Sequence, residues 1–233
     1  MIVRDGLYYA AGLGAGGALA WWLAGLWGAV PLFLLAGFCL YFFRDPERII
    51  PSGAVAVSPA DGLVVAVKAE NLPSQPDAAQ AAAAAQNRIS IFLSVFDVHV
   101  NRAPIAGVIT DVVYRKGSFR IATQERCSLE NEQNIVTIQG ENGVRVTFKQ
   151  IAGFLARRIV FNKRAGDRVA AGERVGLIRF GSRVDVLFGP EWEILVEPGG
   201  RVRAGSSTLA RRLEGAGSLR QRESETAHAQ AQL

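Results

Sequence analysis

The sequence predicts a mostly β domain, sandwich- or barrel-like with hammerhead-type hairpins, behind an N-terminal α-helical membrane segment. Three features carry that reading: an uncharged apolar run near the N-terminus, a succession of short alternating segments bounded by turn residues, and a glycine-turn motif that occurs twice late in the chain. At 233 residues the chain is long enough to bury a full core and still carry appendages.

From Leu7 to Phe43 there is no charged residue, and a helical span needs about 20 such residues. The apolar region of a signal peptide is only about 7 to 15 residues long, so cleavage does not explain this run. Arg4 precedes it, and Arg44 and Arg48 follow. Basic residues favour the cytoplasmic face, so a two-pass hairpin leaves both ends there. One tilted span, or a re-entrant turn around Gly25 to Pro31, fits the run as well. Residues 1–45 are therefore read as a membrane-anchoring segment of one or two spans.

The net charge of +5 is spread through strand-like segments instead of one reading helix. It suits anionic lipid, and no nucleic-acid partner is expected. Cys39 and Cys127 form neither a zinc set nor a disulfide framework, so no metal is expected.

RDPERIIPSG, with Pro46 and Pro51, is a linker. Residues 46–212 then hold the β-rich domain, in which AVAVS, GLVVAVKAE, RISIFLSV, GVITDVVYRKG, NIVTIQG, VRVTFKQIAG, RIVFN, RVGLIRF, RVDVLF and WEILVEP read as strands. DAAQAAAAAQ, from Asp77 to Gln86, reads as a helical surface excursion. Residues 213–233 are polar and aperiodic, the pattern of a disordered tail. AGDRVAAGERVGLI from Ala165 and PGGRVRAGSSTLA from Pro198 share G-x-x-V-x-A-G, a glycine turn, a short strand and another glycine turn. They resemble the hairpins of biotinyl and lipoyl carrier domains, although neither tip has a modifiable lysine.

IRFGSRVDVLF places Gly181 and Ser182 between two apolar runs. Pattern alone reads this as a β-bulge. Three other Gly-Ser pairs have simpler explanations: Ser118 lies in a Lys-Gly-Ser turn, Ser206 in the repeated glycine turn, and Ser218 in the tail. His228 is also in the tail, which leaves His99 as the one imidazole available to a folded site, with Asp97, Asn101 and Arg102 around it. Asp61, in SPADG, has a turn-former's explanation. Asp61, His99 and Ser182 are nonetheless the residue types of orienter, base and nucleophile. Their spacing does not bring them together. A serine hydrolase using the same three residues lacks a G-x-S-x-G elbow, and a membrane-anchored hammerhead-type adaptor remains the non-enzymatic alternative.

SPADG, FLSVFDVHVNRAP, the ENEQN segment, QIAGFLARRIV and RFGSRVDVLF, in this order behind an apolar N-terminus, resemble the short form of the phosphatidylserine decarboxylase family. The resemblance covers nearly all of residues 1–212. It implies a proenzyme that cuts itself between Gly181 and Ser182, giving a heterodimer of a large chain (1–181) and a small chain (182–233) and leaving room for a homo-oligomer. It implies that Ser182 becomes a pyruvoyl cofactor, forms a Schiff base with the serine headgroup, and converts phosphatidylserine to phosphatidylethanolamine and CO2. It further implies that Asp61 orients His99, that His99 serves as base, and that the enzyme works on the cytoplasmic side of the cell (inner) membrane. Longer family members carry a second histidine where this chain has Arg102. Arg102, Arg115, Lys116 and Arg120 are candidate phosphate contacts or plain surface charges.

Overall fold

The computed structural model describes residues 1–70, 86–120, 126–154, 158–179 and 182–213. Most of the alanine-rich insert, Gly181 and nearly all of the expected tail, His228 included, lie outside the described residues. Helices α1 (Arg4–Ala24) and α2 (Leu26–Phe42) come first. They are followed by β1 (Val55–Val57), β2 (Gly62–Glu70), β3 (Gln86–Leu93), β4 (Val100–Arg102), β5 (Gly107–Arg115), α3 (Cys127–Glu130), β6 (Gln133–Gln139) and β7 (Arg145–Ala152). Then come β8 (Ile159–Phe161), β9 (Arg168–Val169), β10 (Arg174–Ile178), β11 (Ser182–Phe188), β12 (Trp192–Ile194), β13 (Arg201–Val202) and β14 (Thr208–Arg212). Each alternating segment named above forms a strand, because its apolar residues meet one core around Ile89, Ile91, Val136, Phe148, Val184, Val186 and Phe188.

The chain breaks at Gly25, with φ 75°, and turns back. An antiparallel bridge between Ile2 and Arg44 closes the base of the resulting helical hairpin. Among the described residues no helix is long and apolar enough to cross a membrane, so the expected spans are not present as such. With 17 residues, α2 rises only about 25 Å against a hydrocarbon core of about 30 Å. α1 is longer, but it opens on Arg4 and Asp5 and is rich in glycine and alanine. The hairpin's outer surface is strongly apolar all the same: Trp22, Trp27 and Leu34 are 81%, 87% and 70% exposed.

The β domain is a folded duplication. Its eight-stranded antiparallel sheet has the order β13-β2-β3-β11-β7-β6-β5-β9, and two three-stranded sheets have the orders β1-β14-β12 and β4-β10-β8. These orders are matched about an axis between β11 and β7. Each G-x-x-V-x-A-G copy places its short strand, β13 or β9, at one edge of the large sheet and its next strand, β14 or β10, at the centre of a small one. Gly172 and Gly205, at the second turn of each copy, have φ 73° and 76°, a conformation that glycine adopts without strain. The pairing irregularity between Val64 and Ala66 of β2 recurs between Ile109 and Asp111 of β5. One half, β4 to β10, is continuous in sequence. The other is divided, with β1 to β3 before the continuous half and β11 to β14 after it.

This arrangement corrects the bulge reading of Gly181-Ser182. β10 belongs to a three-stranded sheet and β11 to the middle of the large one, and β11 pairs with both neighbours without a register shift. Gly181 itself lies outside the described residues; between Ile178 and Ser182 the chain passes from the continuous half to the divided one.

Candidate active site

Ser182 is the first residue of β11, opposite Leu93 of β3 and Ala152 of β7. It is fully buried. Its Oγ has no hydrogen-bond partner among the described residues, a state that costs about 1–3 kcal/mol for a buried polar group. Hydroxyls are rarely left this way unless a reaction or a ligand uses them.

His99 lies on the lead-in to β4, and its carbonyl accepts a hydrogen bond from the Ile178 amide at 3.3 Å, at the β10 end that feeds the Ser182 corner. The ring is 2% exposed. Nδ1 is hydrogen-bonded to the Asp97 carbonyl at 2.9 Å, so Nδ1 carries the proton and Nε2 is a free acceptor. Nε2, like Ser182 Oγ, is buried without a partner among the described residues. Burial pushes the imidazole's pKa down to about 4, outweighing the Asp97 carbonyl and carboxylate that favour the cation. The ring is therefore neutral throughout the physiological range, as a base must be.

Asp61 is not placed on His99. Its Oδ1 accepts the Ala204 amide at 2.7 Å and its Oδ2 accepts Arg48 at 2.8 Å. Burial still holds its carboxyl above the usual range. The expected orienting contact is thus supplied by the Asp97 backbone. The Asp97 side chain closes its own loop, accepting the Ser94 amide and hydroxyl at 2.8 and 2.7 Å and Arg201 at 2.9 Å. Burial raises that carboxyl, but these hydrogen bonds win and leave it below the usual range. Asp61, Asp97, Arg201, Arg203, Ser206 and Ser207 line a cavity of about 580 Å³, large enough for a polar headgroup.

Arg102 is a structural residue. It is 5% exposed and binds Asp45 at 2.9 Å and the Gly172 carbonyl at 3.0 Å, pinning the linker to the β4–β10 ladder. It is neither a phosphate contact nor a stand-in for a second histidine.

Behind Ser182, on the opposite face of β11, lies a buried ionic cluster that the sequence reading missed. Arg183 and Asp185 are 1% and 0% exposed, and Arg183 Nε donates to Asp185 Oδ1 at 2.7 Å. Ser128, in α3, donates to Asp185 Oδ2 at 2.7 Å, and Arg183 also donates to Ser90 at 2.6 Å. Alternation in RVDVLF marks these residues as outward-facing, and so they are, but α3 covers them from another part of the chain.

The duplication separates what the fold requires from what it does not. Arg183 of β11 faces Phe92, which in turn faces Leu63; Arg145 of β7 faces Gln139, which faces Val108. Ser182 is therefore matched by Val144, and Gly181-Ser182-Arg183-Val184 by Gly143-Val144-Arg145-Val146. SPADG is matched by APIAG, with Ala106 at the place of Asp61. Ala54, whose carbonyl accepts the Arg212 amide, matches His99, whose carbonyl accepts the Ile178 amide. All three expected site residues are replaced by alanine or valine in the matching half. These short matches, GSRV with GVRV and SPADG with APIAG, were the available signal for the duplication.

Residues 35–210 match the family model for phosphatidylserine decarboxylase. The phosphatidylserine decarboxylase proenzyme of Solibacter usitatus is 62% identical over 213 residues, covering 91% of this chain and 98% of that protein. The proenzymes of Saccharopolyspora erythraea and Magnetococcus marinus are 43% and 44% identical, over 82% and 77% of this chain and 78% and 80% of theirs.

Proposed function

The chain belongs to the phosphatidylserine decarboxylase family, as a proenzyme, and from that premise we propose that Ser182 is both the nucleophile of its self-cleavage and the precursor of a pyruvoyl cofactor. The observation that carries this is the buried Oγ of Ser182, without a partner among the described residues, at a position where the matching half has Val144. The matching strand start is built with valine, so its register does not call for a hydroxyl.

In the cleavage step, His99 Nε2 takes the proton from Ser182 Oγ as that oxygen bonds to the Gly181 carbonyl carbon. The Gly181–Ser182 C–N bond breaks as His99 passes that proton to the departing Ser182 nitrogen, and an ester with a free amine replaces the amide. Loss of the Ser182 α-proton and cleavage of Cβ–O then release residues 1–181 with a terminal carboxylate. Water adds to the remaining dehydroalanine and ammonia leaves, so the atoms balance without an oxidant. The group formed supplies an electron sink for decarboxylation of an amine-bearing substrate. The fully buried start of β11, held between β3 and β7, fixes its position. His99 is suited to return a proton to the substrate carbon from which CO2 departs.

The cavity beside Asp61 and Asp97 receives the headgroup, with Arg201 and Arg203 available to its phosphate. Asp61, protonated more readily than an ordinary aspartate, serves this mouth. The helical hairpin seats the enzyme in one leaflet of the inner membrane with its aromatic and leucine side chains, and the cationic Arg44 and Arg48 at its base favour the cytoplasmic face. A diacyl substrate then never has to leave the bilayer.

Intact mass of the purified protein tests this reading. It requires two chains meeting at 181/182, with the smaller blocked to Edman degradation. A single uncut chain in active protein would falsify it.

A further inference from the structure

The helical hairpin meets His99 at Phe42. Phe42, the last residue of α2, is 1% exposed, and its ring lies 4.3 Å from the ring of His99, centroid to centroid, at 35°. Phe43 meets Phe42 edge-on at 5.0 Å, and Leu177 of β10 completes the buried cluster. The segment that follows is fastened to the β domain: Arg44 donates to the Phe96 carbonyl at 2.7 Å, Asp45 pairs with Arg102 at 2.9 Å, and Arg48 pairs with Asp61 at 2.8 Å. A tether would need none of these contacts. The charged groups that act on the His99 ring are Asp97, from its own loop, and Arg44, from the hairpin exit.

We propose that Phe42 is a positioning residue: its ring fixes the orientation of His99 and keeps water from it, so that the seated hairpin forms one wall of the catalytic site. The catalytic half of this claim rests on His99 being the base. The positioning half does not.

Two histidines in the chain make the test direct. In the uncut Ser182→Ala protein in lipid micelles, NMR titration reads His99 separately, with His228 as internal reference. His99 should titrate near 4, and Phe42→Ala should raise that midpoint by about one pH unit or more as water reaches the ring. Phe38→Ala, which loosens the same helix beside Phe42, should leave it in place. An unmoved midpoint in Phe42→Ala, or an equal shift in Phe38→Ala, overturns the proposal. If Phe42→Ala does not fold, Phe42→Leu replaces it with the same two outcomes. In the cleavable protein, Phe42→Ala should slow self-cleavage about tenfold or more, with the deficit growing as pH falls, and Phe42→Trp should restore it. A shifted midpoint with unchanged cleavage would retain the stacking role and remove His99 as base.

Discussion

The two halves of the β domain share strand order, turn geometry and even a pairing irregularity, yet they differ at the three expected site residues, where Asp61, His99 and Ser182 are matched by Ala106, Ala54 and Val144. In the continuous half the chain passes from β6 to β7 through a short turn ending at Gly143-Val144. In the divided half the matching turn is opened, the whole continuous half is inserted, and the chain returns at Gly181-Ser182. The bond proposed for self-cleavage therefore occupies a site that is an ordinary hairpin loop in the other copy. The matching half does without the serine: Val144 stands in its place.

The comparison is broken most sharply at that corner. Ser182→Ala should abolish cleavage and decarboxylation, seen as one band on a denaturing gel. Val144→Ser, which creates Gly-Ser in the matching turn, should add no second cut, because no histidine stands where Ala54 is. A new fragment ending at residue 143 would show that Gly-Ser in this turn is enough. Next in size, Asp61→Asn should slow turnover about 10²-fold or more, whereas Ala106→Asp, its counterpart, should change it less than twofold. Equal losses would mean that Asp61 acts only as part of a turn.

Smaller effects concern stability. Arg183→Met leaves buried Asp185 with Arg88, at 3.4 Å, as its remaining cation and should cost about 1–3 kcal/mol in urea unfolding. The matching Arg145 is exposed, so Arg145→Met should stay within about 0.5 kcal/mol. Similar values would deny the buried cluster any special role. Acid should also weaken the fold through His99, whose proton affinity is lower folded than unfolded. Between pH 6.5 and about 4 the unfolded chain binds more protons, so stability falls as pH drops through that window, by up to about 3 kcal/mol. His99→Gln should remove that part of the pH dependence, read as the difference in urea midpoint between about pH 7 and pH 4.5.

Much of the strand content was legible because alternation is local, and the G-x-x-V-x-A-G turns were legible because positive φ selects glycine. The motifs that resemble the decarboxylase family were legible as well. Pairing partners were not. Nothing near IRFGSRVDVLF tells that its two apolar runs belong to different sheets, and nothing near SPADG tells that Arg48 and the Ala204 amide occupy Asp61. Arg102 read as a phosphate contact or a plain surface charge because charge is usually exposed, but Asp45, brought by the linker, draws it inward. Arg183 and Asp185 were hidden for the same reason, their cover coming from α3. Phe42 was lost inside the apolar run, where one aromatic residue looks like another.

The central place of β11 fixes the order of events in the life of the molecule. If the chain is cut before Ser182 as proposed, β11 becomes a strand donated by one polypeptide to a sheet made by another, hydrogen-bonded on both sides and buried along its whole length. Such a strand can be inserted while it is still joined to its neighbours. Once freed, it has no open groove to re-enter unless β3 and β7 first part. Folding must precede cutting, and the two chains of the finished enzyme are then partners for life: separated in denaturant, they should recover far less activity than the uncut chain refolded and left to cleave itself.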